Sequence, residues 1–158
     1  MVIKSSKTLV EEALDQIETL DSSKVKELFD QNKCTLIDIR DIRELWNEGA
    51  VEGAIHIPRG MLEFWLDPAS PYYKKEKFED PEKKMILFCA GGMRSALATK
   101  SLKDMGYENI SHIDGGFAAM RLNNFKIVEK KDNYIFIFLL HSLQIPNGLD
   151  PRKFYYLL

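Results

Sequence analysis

The sequence predicts an α/β fold: a mostly parallel sheet flanked by helices, with an additional apolar tail at the C-terminus. Two observations carry this. The short apolar run Met85 to Phe88 is too continuous for a strand with one wet face, and fits a strand buried on both. Between the expected strands lie segments of helical period, so strand and helix alternate along the chain. At 158 residues the chain is long enough for one domain with a real core.

The elements follow in order. Leu9, Val10, Ala13, Leu14 and Ile17 fall at helical spacing and predict a helix over 9–17. Asp21-Ser22-Ser23 offers N-caps for a second helix, 24–30. A strand is expected over 35–39, a helix over 41–48 with Ile42, Leu45 and Trp46 inward, and a strand over 54–57. The aromatic, proline-broken stretch 61–80 reads as a helix and then a loop, and 110–113 as a strand. Residues 1–130 are expected to form the domain and 131–158 a C-terminal extension. In that extension Tyr134 to Leu140 is unbroken apolar sequence, but His141, Ser142 and Gln144 end it well short of the ~20 residues that span a bilayer. No transmembrane segment is therefore expected. The tail is expected to pack on the domain or on a second copy, which makes a homodimer one of its readings.

The chemistry concentrates at the end of the run Met85 to Phe88. There Cys89 is followed by Ala90, Gly91, Gly92, Met93, Arg94 and Ser95. Paired glycines let successive N–H groups turn inward into a ring that holds an anion or a thiolate. Ser95 is read as the N-cap of a helix running to about Met105, with Ala98, Leu102 and Met105 on one face and Gly106 ending it. The positive end of that helix and the loop N–H groups favour a cysteine thiolate, so no histidine base is needed. The competing reading is a buried structural cysteine, the commoner use of the residue; Gly-Gly, Arg-Ser and the strand–loop–helix context together favour the reactive one.

Five blocks in order resemble the rhodanese-like domain family over about residues 20–128. They are Leu36-Ile37-Asp38-Ile39-Arg40, Glu52 to Pro58, Cys89 to Ser95, Leu102 to Tyr107, and Ile113-Asp114-Gly115-Gly116. The resemblance implies sulfur transfer through a Cys89 persulfide, with the N–H groups of Ala90 to Met93 holding the charge. It implies a small anionic sulfur donor (thiosulfate, polysulfide or persulfide) and a thiol, cyanide or protein sulfur acceptor, without metal or organic cofactor. Cys89 to Arg94 spans the six-residue loop of sulfurtransferases, whereas related phosphatases and arsenate reductases carry one residue more. A phosphatase or arsenate reductase, and a non-enzymatic persulfide carrier, are the alternatives. The chain departs from the family at Ala50, where histidine is frequent, and at Phe117 to Met120, where tryptophan is. Ala90 and Met93 are uncharged where some thiosulfate-using members carry basic residues.

Other residues are weighed on their own spacing. Arg94 either faces the anion or braces the loop. Arg40 and Arg59, with Arg43, are candidates for a pocket rim, since Asp-x-Arg and Ile-Pro-Arg both end strands; each alone also reads as a solvated surface charge. Asp38 reads as a structural strand-end carboxylate. Phe64, Trp65, Tyr72 and Tyr73 are candidate pocket walls or ordinary packing. His56, His112 and His141 lack paired ligand spacing, which argues against a metal site. Cys34 opens a strand and is expected to pack rather than to resolve Cys89. Two cysteines and the absence of an apolar leader in Met1 to Ser6 point to a reducing, cytoplasmic setting. A net charge of −2 gives no case for nucleic acid.

Overall fold

The computed structural model describes residues 3–78 and 83–131. The apolar extension therefore lies, beyond residue 131, outside the described residues. Five parallel strands form the main sheet: β1 (Glu18–Leu20), β2 (Cys34–Asp38), β4 (Ile55–His56), β5 (Lys84–Phe88) and β6 (Ile110–Ile113), in the order β1-β6-β5-β2-β4. The short strands β3 (Ala50–Val51) and β7 (Ile127–Val128) pair antiparallel beside it. The helices are α1 (Ser6–Leu14), α2 (Ser22–Asp30), α3 (Ile42–Glu48), α4 (Leu62–Leu66), α5 (Met93–Asp104) and α6 (Gly116–Leu122).

Alternate residues of the central strands serve two cores. Leu36, Ile86, Phe88 and Ile113 pack with Val25 of α2 and Phe117 and Met120 of α6 on one face. Ile37, Leu87 and Cys89 pack with Leu62 and Leu66 of α4 and Ala98 and Leu102 of α5 on the other. Both faces of β5 are thus dry, which is why its sequence is apolar without alternation. Truncating a fully buried side chain such as Leu102 to alanine is expected to cost about 2–5 kcal/mol.

Several elements differ from expectation for identifiable reasons. The first helix begins earlier, at Ser6, because Ser5 caps it by accepting from the Thr8 N–H, and it ends before the strand β1, which carries no apolar run of its own. Asp41 is not the first helical residue but the N-cap of α3, in a reciprocal capping box with Glu44. Ser95 is not the N-cap of α5. Gly92 is, in a left-handed conformation (φ 97°) that turns the chain from loop to helix directly, so Ser95 sits inside the first turn. Met105 caps the other end and is largely exposed rather than inward.

Candidate active site

Cys89 lies just past the carboxyl end of β5, the central strand of the sheet. That end of a parallel sheet is where ligands bind in open α/β folds. Its side chain is buried, and the Gly92 N–H donates to Sγ at 3.2 Å. The left-handed turn at Gly92 aims this amide, and its φ of +97° is what favours glycine there, since a Cβ would make only ordinary contacts with Gly115 N at 3.4 Å and the Ile113 carbonyl at 3.5 Å. Gly91 and Met93 are exposed at the mouth of the loop, Ala90 is partly covered, and Ser95 is fully buried beneath it.

Three sets of contacts hold the loop. The start of α6 clasps it from below: Phe117 N–H donates to the Cys89 carbonyl (2.7 Å) and Ala118 N–H to the Ala90 carbonyl (3.2 Å). This approach requires glycine at position 116, because a Cβ there would lie 2.3 Å from the Cys89 carbonyl oxygen. Arg94 makes a two-pronged ion pair with Glu44 at 2.7 and 2.8 Å, tying the loop to the start of α3. The pairing raises the arginine above its ordinary range, chiefly through Glu44 and secondarily through the neighbouring Cys89, and it lowers Glu44. Finally, Ser95 Oγ donates to the Gly92 carbonyl at 2.9 Å and lies 3.3 Å from His112 Nδ1.

Arg40 is not at a pocket rim. Its side chain is fully buried and engaged by Asp38 (2.7 Å), Glu48 (3.2 Å) and the Gly49 carbonyl (2.9 Å). Its guanidinium also stacks 3.6 Å from the centre of the Phe117 ring. A buried arginine needs such partners, and here they make it a brace beneath the residue that clasps Cys89. Arg59 pairs with Glu63 at 2.8 Å, and Glu63 also accepts from Ser101 of α5. Arg43 is drawn back onto Asp41. Asp38 has the structural role expected of it, as Arg40's partner. Of the aromatic residues, Tyr73 lines a cavity of about 620 Å³ with Leu66, Phe78, Met85 and Tyr107, at the opposite, amino end of the central strands. Phe64 and Tyr72 are exposed.

Cys34 provides an internal contrast. It too is buried, but it opens β2 opposite Lys84, four register steps from the Asp38–Phe88 pair that precedes Cys89. It belongs to the other core, and burial pushes its thiol up to about 11 despite Lys83 nearby. Glu44 is not singled out by the sequence reading, Gly116 enters it only within the Gly-Gly block, and His112 only as a metal ligand weighed and set aside. The Asp-x-x-Glu spacing of a capping box signals Glu44; Gly116 is visible only as half of a Gly-Gly pair; a histidine inside the strand run Ile110–Ile113 is the sole hint of His112. Among the described residues, no group of three His, Cys, Asp or Glu side chains could hold a metal ion. Nor is any described helix long and apolar enough to cross a membrane.

Known proteins share this fold. A solved protein of unknown function from Rhodopseudomonas palustris, described as a possible tyrosine phosphatase, is 41% identical, with a TM-score of 0.75 over 81% of this chain and 97% of that one. The polysulfide-sulfur transferase homodimer of Wolinella succinogenes is 29% identical, with a TM-score of 0.62 over 81% of this chain and 90% of that one. A tRNA uridine(34) hydroxylase from Hamiltonella defensa is 30% identical over 113 residues, 72% of this chain. The chain spans only 29% of that protein, and less than a third of the other hydroxylases it matches. The rhodanese-like domain profile matches residues 21–123, and the chain belongs to that family.

Proposed function

We propose that this chain is a sulfurtransferase that carries sulfane sulfur as a persulfide on Cys89. The observation that supports it most is the Gly92 amide donating to Cys89 Sγ from within a six-residue loop at the end of the central strand. In the first half-reaction the Cys89 thiolate attacks the outer sulfur of a donor. The donor's sulfur–sulfur bond breaks, its electron pair leaves with sulfite or a thiolate, and Cys89–S–S⁻ remains. In the second, a thiophile attacks that outer sulfur and the Cys89 thiolate is regenerated. Two half-reactions through a covalent intermediate imply ping-pong kinetics. The Gly92 amide, already aimed at sulfur, stabilises the charged thiolate without rearrangement, as preorganised dipoles do elsewhere.

No residue from Ala90 to Met93 carries charge, and Arg94 is neutralised by Glu44. The lack of free cations in the loop weighs against thiosulfate, whose sulfonate end they would hold, and the likeness to the polysulfide-sulfur transferase supports a polysulfide or persulfide donor. The acceptor is a small thiol, cyanide in an assay, or a partner protein's cysteine. A domain over residues 1–130, an extension over 131–158 that packs on the domain or on a second copy, and a cytoplasmic setting complete the reading. Mass spectrometry after separate exposure to polysulfide, a low-molecular-weight persulfide and thiosulfate is the test. Gain of one sulfur atom on Cys89, fastest from the first two, is expected; a protein that gains none is not a sulfurtransferase.

The likeness to a possible tyrosine phosphatase favours a second reading, cysteine-dependent phosphate-ester hydrolysis. The short loop weighs against it, since tetrahedral oxyanions need the wider ring. Release of p-nitrophenol from its phosphate ester by wild type, and not by Cys89→Ser, would favour that reading instead.

A further inference from the structure

Beneath the loop a line of hydrogen bonds runs inward from β1: Thr19 Oγ1 to His112 Nε2 at 3.0 Å, His112 Nδ1 to Ser95 Oγ at 3.3 Å, and Ser95 Oγ to the Gly92 carbonyl at 2.9 Å. The roles in it are fixed by counting protons. Ser95 has one hydroxyl hydrogen and gives it to Gly92, so it must accept from His112, whose hydrogen is then on Nδ1. Nε2 is left as the acceptor for the Thr19 hydroxyl. His112 and Ser95 are both buried, and burial holds the imidazole in its neutral form, with Asp114 opposing it. Only a neutral ring can donate at one nitrogen and accept at the other. The line ends on the residue whose N–H donates to Cys89 Sγ.

We infer that His112 is a positioning residue for the reacting thiol: through the Ser95 hydroxyl it fixes the Gly92 carbonyl, and with it the left-handed turn that aims the Gly92 N–H at sulfur. The Ala96 N–H also donates to this carbonyl, as the first bond of α5, so Gly92 is held from both helix and core. The inference rests on Cys89 being the reacting thiol of the sulfur-transfer reading, and its test keeps the two apart. Cys89 alkylation by iodoacetamide reports the loop whatever the natural substrate is, while persulfide transfer to cyanide reports the reaction.

Both rates are measured for wild type, His112→Leu, His112→Asn, Ser95→Ala and the His112→Leu/Ser95→Ala double variant, with thermal melting as the control for folding. His112→Leu and Ser95→Ala are each expected to lower the alkylation rate and kcat by about tenfold, with KM changed less than about twofold. The double variant is expected to be no slower than the slower single one, as for two members of one unit. His112→Asn, whose amide N–H can stand where Nδ1–H stood, should return to within about threefold of wild type. A double variant slowed by the product of the single effects, about a hundredfold, overturns the inference. So does a folded His112→Asn protein as slow as His112→Leu, since His112 would then only fill space. Should His112→Leu fail to fold, a fast His112→Asn beside a slow Ser95→Ala supports the positioning role, and equal rates overturn it. The expected alkylation pattern in a protein without sulfur transfer would sustain the role of His112 and sink the sulfur-transfer reading.

Discussion

Burial alone does not distinguish the two cysteines, so reactivity must come from what each sulfur faces. Cys34 meets apolar neighbours, and its thiol is pushed up to about 11 by burial. Cys89 meets an amide N–H and has Arg94 as a neighbour. Cys89→Ser should therefore abolish persulfide formation with the fold intact, because a serine hydroxyl is nearly isosteric but neither ionises at neutral pH nor carries a second sulfur. Cys34→Ser should keep most of the activity, measured as thiocyanate release from thiosulfate or polysulfide with cyanide. An inactive but folded Cys34→Ser protein would give that residue a role that its place at the far end of β2 does not suggest. Reading the sequence found Cys89 and the loop because glycine pairs, cysteine and Arg-Ser carry a local signal. It misplaced Arg40 because the end of a strand does not tell whether the next side chain turns outward or in. Here Asp38, two residues earlier, draws the arginine inward.

At the scale of elements, the loop is shaped as much by α6 as by its own residues. The clasp of Phe117 and Ala118 on the Cys89 and Ala90 carbonyls leaves no room for a side chain at position 116, whose φ is +54°. Gly116→Ala should thus cost about 1–3 kcal/mol of stability, read by urea denaturation, and should slow Cys89 alkylation because the backbone oxygens must move. A variant with wild-type stability would mean that the clasp is looser than its distances imply. Loop length can be tested separately. One small residue inserted between Gly92 and Met93 separates the amide that meets sulfur from the helix that anchors it. Sulfur transfer should fall, and activity on a phosphate ester should rise if ring size selects the substrate. An unchanged transfer rate would remove ring size as the selector. The start of α5 was misread at this scale for a physical reason. Serine is a better N-cap than glycine in isolation, but the left-handed turn that brings Gly92 to the sulfur already begins the helix.

For the whole molecule, strand and helix alternation was legible because strands buried on both faces have a distinctive composition. The strand β1 and the pair β3–β7 were not, since three- and two-residue strands owe their pairing to neighbours rather than to their own pattern. Long-range contacts were likewise invisible. The Arg94–Glu44 pair joins residues 50 apart in sequence, and it ties α3 to the active loop across the sheet's carboxyl edge. That pair gives the molecule an acid-side weakness. Glu44 is lowered from its ordinary 4.5, first by its bond from Arg94, and Asp41 at the same helix start is lowered to about 2, first by Arg43. Carboxylates lowered on folding contribute stability in full above their unfolded values, and lose it as pH falls through the folded ones. The Glu44 contribution is therefore complete at neutral pH and fades below about 4.5, while that of Asp41 fades from about 4 down to about 2. Glu44→Gln should lower the melting temperature at pH 7 by a few degrees, as expected for a partly exposed two-pronged pair worth about 1 kcal/mol. The gap between variant and wild type should narrow as pH falls below 4.5 and through the lowered value of Glu44, where Glu44 itself becomes protonated. A gap that does not narrow at all on the acid side would mean that glutamine disturbs the start of α3 by its shape, and that the charge pairing with Arg94 does not hold the loop.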